Sequence, residues 1–103
     1  MKEGVIQNPS PSSADKSEGF ATVKILGNLA RSSAGKRHDV LQVQTPMKVG
    51  SLLTLISESH DLVLPRESTL VLVNGVEANA LEDLDTIVRK GDQVFLVPMI
   101  HGG

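Results

Sequence analysis

The sequence predicts one α+β domain in which a single helix covers one face of a four- or five-stranded mixed sheet. Three observations support this fold class. Several short segments alternate between apolar and polar residues, which is typical of half-buried strands. Only one segment has the spacing of an amphipathic helix, and an Asn-Gly pair, a strong hairpin signal, separates two of the strand segments. Because one helix covers only one face of a sheet, the opposite face is left for solvent or a partner.

The strand predictions follow the chain in order. The first strand alternates around Ala21, Val23 and Ile25, and the second has an ambiguous parity because Val40, Leu41 and Val43 cannot share one face. We expect the first and last strands to lie side by side at the centre of the sheet, where their apolar runs are best buried. The predicted strands are Ala21–Leu26, His38–Thr45, Thr69–Val73, Val76–Ala78 and Gln93–Pro98.

The predicted helix has about three turns and ends near His60. Its start is poorly marked, because Lys48 stands where a capping Ser, Thr or Asp is usual, and Thr45 before Pro46 is the better cap candidate. Its apolar positions fall at i, i+3, i+4 and i+7: Val49, Leu52, Leu53 and Ile56.

The remaining segments are predicted to be connections. Asn74-Gly75 forms the hairpin turn, and Arg89–Asp92 forms a polar turn before the last strand. Leu81–Val88 spaces its leucines three apart among acidic residues, which suits a short helical turn or a coil. We therefore divide the chain into a flexible extension (1–19), a folded domain (20–98) and a C-terminal tail (99–103).

The composition excludes several functional classes. With 103 residues and a net charge of -2, the chain offers one modest core and no basic surface for nucleic acid or an anionic membrane. Phe20 and Phe95 are its two aromatic residues, and it has no cysteine for a disulfide, a thiol nucleophile or a zinc site. No apolar run is long enough to cross a bilayer. We expect a cytoplasmic protein that binds no metal and contacts neither nucleic acid nor membrane directly.

The chain ends in Gly102-Gly103, the narrowest peptide end available. Two terminal glycines occur by chance in about one chain in two hundred, so the pair alone is weak evidence. Here they follow an apolar strand and Pro98. Proline has no N–H, so we expect it to end the strand pairing and release the tail.

Four segments together resemble the ubiquitin-like β-grasp family of sulfur carriers and small modifiers. This family includes the small subunit of molybdopterin synthase, the thiamin sulfur carrier, and the ubiquitin-related and archaeal small modifiers. The resemblance covers Ala21–Gly103, and the ending His101-Gly102-Gly103 looks most like that of the ubiquitin-related modifier. The segments are Leu29–Arg31 with Ala34–Arg37, Val49–Leu53, Val73–Gly75, and Gly91–Val94 leading through Pro98 to the end of the chain.

The resemblance implies that the chain is a carrier on which other proteins act, rather than an enzyme. An E1-like enzyme would use ATP and Mg²⁺ to adenylate the Gly103 carboxyl, and a persulfide donor would convert the adenylate to a thiocarboxylate. The acceptor would be a molybdopterin precursor held by the large synthase subunit, a tRNA base presented by a thiolase, or a lysine that forms an isopeptide bond. Such a chain binds no cofactor of its own, and it contains none of the usual glycine-rich phosphate motifs.

Within this interpretation the tail residues have separate roles. Gly103 supplies the reacting carboxyl, and Gly102 allows the backbone into the activating enzyme. His101 either hydrogen-bonds a partner or is an exposed tail residue.

A docking surface for partners is expected on the last strand. If Val94 and Leu96 face the helix, Phe95 and Val97 face outward, and Leu26 joins them from the first strand. Exposed apolar residues of this kind mark an interface, unless the long loops cover them.

A second functional class stays open at this point. The chain is alternatively a passive ubiquitin-like binding module whose diglycine end is incidental. Loss of Gly102 and Gly103 distinguishes the two, because a passive module retains its function and a carrier does not. Sulfur delivery and protein conjugation are not separable by sequence.

Overall fold

A computed structural model describes residues 18–99, which form one helix and seven strands. Four short 3₁₀ turns, at Gly27–Ala30, Arg66–Ser68, Ala78–Ala80 and Asp83–Asp85, connect them. The helix and strands are β1 (Gly19–Ile25), β2 (Val40–Thr45), β3 (Met47–Lys48), α1 (Val49–His60), β4 (Thr69–Val73), β5 (Val76–Glu77), β6 (Ile87–Val88) and β7 (Gln93–Pro98).

Five strands form one mixed sheet in the order β2-β1-β7-β4-β5. The two central strands, β1 and β7, run parallel, and the other pairs are antiparallel. The predicted α+β class and the central placement of the first and last strands are therefore confirmed. The last strand, β7, lies in the middle of the sheet, between β1 and β4.

The hydrophobic core lies between α1 and one face of this sheet. The inward residues of the central strands are fully buried, as are Leu52 and Ile56 of the helix. Leu41 and Val43 face the core from β2, whereas Val40 is 57% exposed, which resolves the parity of the second strand.

The helix occupies the predicted residues, but its predicted cap is wrong. Thr45 ends β2 and is separated from α1 by Pro46 and the short strand β3. Lys48 is the N-cap residue and its side chain makes no capping hydrogen bond. Instead, the Val49 N–H donates to the Thr86 carbonyl oxygen at 2.9 Å, so a distant segment satisfies the first amide of the helix.

The segment predicted as a helical turn or coil, Leu81–Val88, contains one element that the sequence did not indicate. Its last two residues form β6, which pairs antiparallel with β3 in a separate two-stranded sheet. This small sheet joins the start of α1 to the segment before β7. The turn predictions are confirmed: Asn74 and Gly75 both have positive φ angles, 53° and 87°, as a two-residue hairpin requires.

No helix within residues 18–99 is long and apolar enough to cross a membrane. The first strand begins at Gly19, one residue before the predicted start of the domain. Most of the extension predicted to be flexible, and all of the tail after Met99, lie outside the described residues.

Candidate docking surface and C-terminal tail

The last strand presents two different faces. Val94 and Leu96 are completely buried against the helix side, while Phe95 and Val97 lie on the opposite face and are partly exposed. The alternation predicted for this strand is therefore correct. Leu26, which follows β1, is 43% exposed and its N–H donates to the Leu96 carbonyl oxygen at 2.9 Å. The loops do not cover these side chains completely.

Two further leucines extend this apolar area across the neighbouring strand. The register pairs Leu70 with Val97 and Leu72 with Phe95, so both leucines lie on the outward face of β4. We call the five residues the outer patch: Leu26, Leu70, Leu72, Phe95 and Val97. The sequence did not predict that these two leucines face outward. Four of the five residues of Thr69–Val73 are aliphatic, so no polar residues alternate with them to indicate the outward face.

The patch is bordered by polar groups on the β1–β2 side. The Lys24 Nζ lies 5.7 Å from the centre of the Phe95 ring, within range of a cation–π contact. The Gln42 amide donates to the Thr22 hydroxyl at 3.0 Å on the same face. An apolar centre with a polar rim is the usual composition of a protein-binding surface.

The sequence predicted that Pro98 ends the pairing of β7, but the pairing with β4 continues through Pro98, whereas the pairing with β1 ends at Leu96. Pro98 is paired with Thr69, and the next residue continues the contact: the Met99 N–H donates to the Ser68 carbonyl oxygen at 2.9 Å. In an antiparallel pair every second residue makes no hydrogen bond to the facing strand. Pro98 occupies such a position toward β4, so its missing N–H costs no hydrogen bond to that strand.

Gly27 packs against the ring of Pro98. The residue has a φ of +62°, and a Cβ placed there would lie 3.0 Å from the Pro98 Cγ. The turn after β1 is thus pressed onto the end of β7 at a point where only glycine fits easily. This contact holds in place the strand end from which the tail departs.

The end of the chain that is predicted to react lies outside the described residues. His101, Gly102 and Gly103 therefore remain sequence-based assignments, and Met99 is the last residue with a described position. The structure does place Leu26, Phe95 and Val97 together on one face, with Pro98 at the adjacent strand end.

A pair of histidines lies at the C-terminal end of α1. The rings of His38 and His60 are 4.6 Å apart between centroids. Burial, followed by the charges of His38 and Lys36, lowers the pKa of His60 below its ordinary value. Within residues 18–99 no three His, Asp or Glu side chains are grouped so that they could hold a metal ion.

The fold is a mixed sheet over one helix, with an apolar outer face and a central last strand that leads to a diglycine end. Together these features define the class of ubiquitin-like carriers and modifiers. The comparison with protein families is specific: the model of the ThiS family matches residues 23–103. The chain therefore belongs to the ThiS family, among the ubiquitin-like sulfur carriers and small modifiers. A comparison with curated proteins found no match.

Solved structures with the same fold include small modifiers and a synthase subunit. Small archaeal modifier protein 1 from Methanosarcina acetivorans is 20% identical, with a TM-score of 0.63 over 84% of this chain and 98% of that one. Urm1 from Trypanosoma brucei is 19% identical, with a TM-score of 0.60 over 84% and 97%. The complex of subunits 1 and 2 of molybdopterin-converting factor from Helicobacter pylori 26695 contains a chain that is 16% identical, with a TM-score of 0.57 over 82% and 100%. These likenesses confirm the predicted β-grasp fold.

Proposed function

We propose that this protein carries sulfur, or is itself joined to other proteins, through the carboxyl group of Gly103. The observation that carries the proposal is the extent of the family match, which runs to the last residue and includes the diglycine. The passive-module alternative gives the terminal glycines no role, and it leaves this match at the end of the chain unexplained.

The chemistry begins with activation, because a carboxylate is a poor acyl donor. An E1-like enzyme directs a Gly103 carboxylate oxygen onto the α-phosphorus of ATP, and pyrophosphate leaves with Mg²⁺. The terminal sulfur of a persulfide donor then attacks the acyl carbon and displaces AMP. A thiol opens the resulting acyl disulfide, which releases the C-terminal thiocarboxylate and forms a disulfide on the donor.

The activated end has three chemical outlets. The thiocarboxylate sulfur attacks a molybdopterin precursor or an activated tRNA base, with the carboxylate regenerated by water. Alternatively, a lysine amine attacks the activated acyl group and forms an isopeptide bond. In each case the partner supplies the acid, base and nucleotide-binding groups, and Gly102 lets the backbone enter the partner's site.

The outer patch is the proposed docking surface for the activating enzyme. Its residues lie on β7 and on, or directly after, the two strands beside it. Because β7 leads to the tail, binding there would fix the position of the start of the tail relative to the partner. Pro98 lies beside the patch at the end of the strand, and His101 would contact the partner along the tail. Partly exposed aromatic and aliphatic side chains of this kind give up water readily on binding.

The test is to incubate the full chain with its activating enzyme, ATP, Mg²⁺ and a persulfide donor, and to measure intact mass. The proposal predicts a species in which one C-terminal oxygen is replaced by sulfur. A chain that lacks Gly102 and Gly103 should show no such change while it keeps its circular dichroism spectrum. Failure to form either adenylate or thiocarboxylate with an enzyme that activates its own known carrier would refute the proposal.

Docking is tested by Phe95→Ser, with Leu55→Ser as the matched control. Both apolar side chains reach the surface, but Leu55 lies on α1, which covers the opposite face of the sheet. Phe95→Ser should weaken association with the activating enzyme roughly tenfold, as expected for an interface anchor. Equal effects of the two substitutions would remove the patch from the docking model.

A further inference from the structure

The two edges of the five-stranded sheet are built differently. One edge is β5, which has two residues, Val76 and the charged Glu77. The other edge is β2, which has six residues, Val40–Thr45, and no charged side chain. Sheets usually protect an edge with a very short strand, a charge, a proline or a bulge. β5 has two of these features, whereas β2 has none and keeps a continuous register with β1.

The alternation of hydrogen bonds identifies the backbone groups that β2 leaves open. The Ile25 N–H donates to the Asp39 carbonyl oxygen at 2.8 Å, so these two residues form a hydrogen-bonded pair at the end of the β1–β2 ladder. In an antiparallel ladder such pairs recur at every second residue, so Leu41 and Val43 also bond to β1. The residues between them point their N–H and C=O groups away from β1: Val40, Gln42 and Gln44.

This edge of the sheet is uncovered within residues 18–99. All three outward-pointing residues are exposed, and Val40 is 57% exposed. β1 is the strand that pairs with β2, and no described residue outside this ladder makes a backbone hydrogen bond to the three residues. The Gln42 side chain leaves the edge free, because its amide donates to the Thr22 hydroxyl on β1 at 3.0 Å. The open groups are therefore available to another strand.

The edge is complementary to itself. When two copies of β2 are aligned antiparallel about Gln42, this residue faces its own equivalent and Val40 faces Gln44. Each outward-pointing residue then meets another one, so every open N–H and C=O finds a partner. On the helix side the partly buried Leu41 meets Val43 of the other copy, and no charges oppose each other along the strand. A shift by one residue would lose this match.

We propose that β2 pairs with β2 of a second copy of this chain about a two-fold axis at Gln42, which joins the two five-stranded sheets into one. The match is symmetric about a single residue, which favours a second copy over an unrelated extended segment. The axis is perpendicular to the sheet, so both outer patches lie on one face of the dimer. β2 contributes no residue to the outer patch, so the dimer goes beyond the proposed function. Because one strand forms the seam, we expect a reversible dimer with a dissociation constant on the order of 10–100 µM.

The test is the oligomeric state of the full chain. Sedimentation equilibrium from about 5 µM to about 500 µM should show a shift from monomer to dimer. In a mixture of isotope-labelled and unlabelled chains, NMR should detect contacts between the two copies. The expected contact joins the Leu41 Hα to the Val43 Hα of the other copy, because this pair is not hydrogen-bonded in the proposed register.

Charge variants at Gln42 test the position of the axis. Gln42→Lys places two ammonium groups opposite each other and Gln42→Glu places two carboxylates there, so each variant alone should dimerise at least about fivefold more weakly. An equimolar mixture of the two variants pairs opposite charges and should recover association as a heterodimer. The matched control is Gln93→Lys, which adds the same charge at an exposed glutamine on β7 and should leave dimerisation unchanged.

Several outcomes overturn the proposal. These are a monomer at all concentrations, dimerisation of Gln42→Lys as tight as that of the original chain, or no recovery in the mixture of the two Gln42 variants. Contacts between β2 and residues 1–17 of the same copy would assign the edge to the chain's own extension. Loss of the dimer in Phe95→Ser would move the association to the outer patch. Each of these results is independent of Gly103 activation, so failure of the dimer is distinguishable from failure of the proposed function.

Discussion

Thr69 and Thr86 are both buried threonines, but only one of them has its hydroxyl paired within residues 18–99. The Thr86 oxygen accepts the Glu82 N–H at 2.9 Å and is 3.5 Å from the Ala78 carbonyl oxygen. The Thr69 oxygen has no such bond. The pair therefore allows the energetic cost of an unsatisfied buried hydroxyl to be measured within one protein.

Thr69→Val should raise the free energy of unfolding by about 1 kcal/mol, because it replaces an unpaired hydroxyl with a methyl group of the same shape. Thr86→Val should lower it by about 1 kcal/mol, because it removes a bond and leaves the Glu82 N–H unpaired. Urea unfolding measures both changes. Destabilisation by both substitutions would mean that the Thr69 hydroxyl is already satisfied.

His60 makes stability depend on pH in a defined direction. Its pKa is lowered in the folded protein, mainly by burial, so the unfolded chain binds the proton first as the pH falls. Above the ordinary histidine pKa of about 6.5, His60 therefore does not make the free energy of unfolding depend on pH. As the pH falls below this value, the unfolded chain gains the proton first and the free energy of unfolding decreases.

His60→Gln should remove this loss, so the variant should gain stability relative to the original chain between about pH 6.5 and pH 5. Urea unfolding across this range measures the difference. His38→Gln serves as a second variant, because removal of the neighbouring imidazole should raise the pKa of His60 in an NMR titration. A His60 pKa above the ordinary value would contradict the sign of the effect.

At the level of elements, the turn after β1 and the end of β7 form one unit. Gly27→Ala should destabilise the fold by about 1–2 kcal/mol from the left-handed backbone alone, with a further loss from contact with Pro98. Gly35→Ala is the matched control, since Gly35 also has a positive φ of +87° but no atom within 4 Å of the added Cβ. Equal losses of unfolding free energy in urea would show that the Pro98 contact contributes nothing.

Most of the elements that the sequence predicted have a repeat long enough to recognise, and the two-residue β5 was predicted from the Asn74-Gly75 turn before it. β1, β7 and α1 each span at least six residues and carry their apolar side chains at regular intervals. β3 and β6 have two residues each and leave no such pattern. Thr45 was wrongly predicted as the helix cap because no local pattern indicates the true partner. The first helical N–H donates to the carbonyl oxygen of Thr86, which is far away in sequence.

The sequence predicted part of the outer patch, because β7 is long enough to show a regular alternation of buried and outward residues. Phe95 and Val97 were assigned to the outward face because β7 alternates with the buried Val94 and Leu96. A cavity of about 250 Å³ beneath β4, lined by Thr69, was not predictable. Its walls come from five segments whose packing is set by the tertiary structure, and the aliphatic run of β4 does not indicate which side chains face inward.

At the scale of the whole molecule, the fold places the segment that is proposed to react directly after the central strand of the sheet. β7 lies at the centre of the sheet, contributes two residues to the outer patch and leads directly to the tail. In the proposed function the partner that binds the sheet also receives the tail, so the chain would need no catalytic residues of its own.

The most direct test of the central claim is the chemical state of Gly103 in its own cells. The protein is captured under alkylating conditions, and its C-terminal peptide is identified by mass spectrometry, with a chain lacking Gly102 and Gly103 as the control. We predict that Gly103 is recovered as an alkylated thiocarboxylate or joined to a lysine. Recovery of only the free carboxylate, together with full function of the truncated chain, would contradict the account.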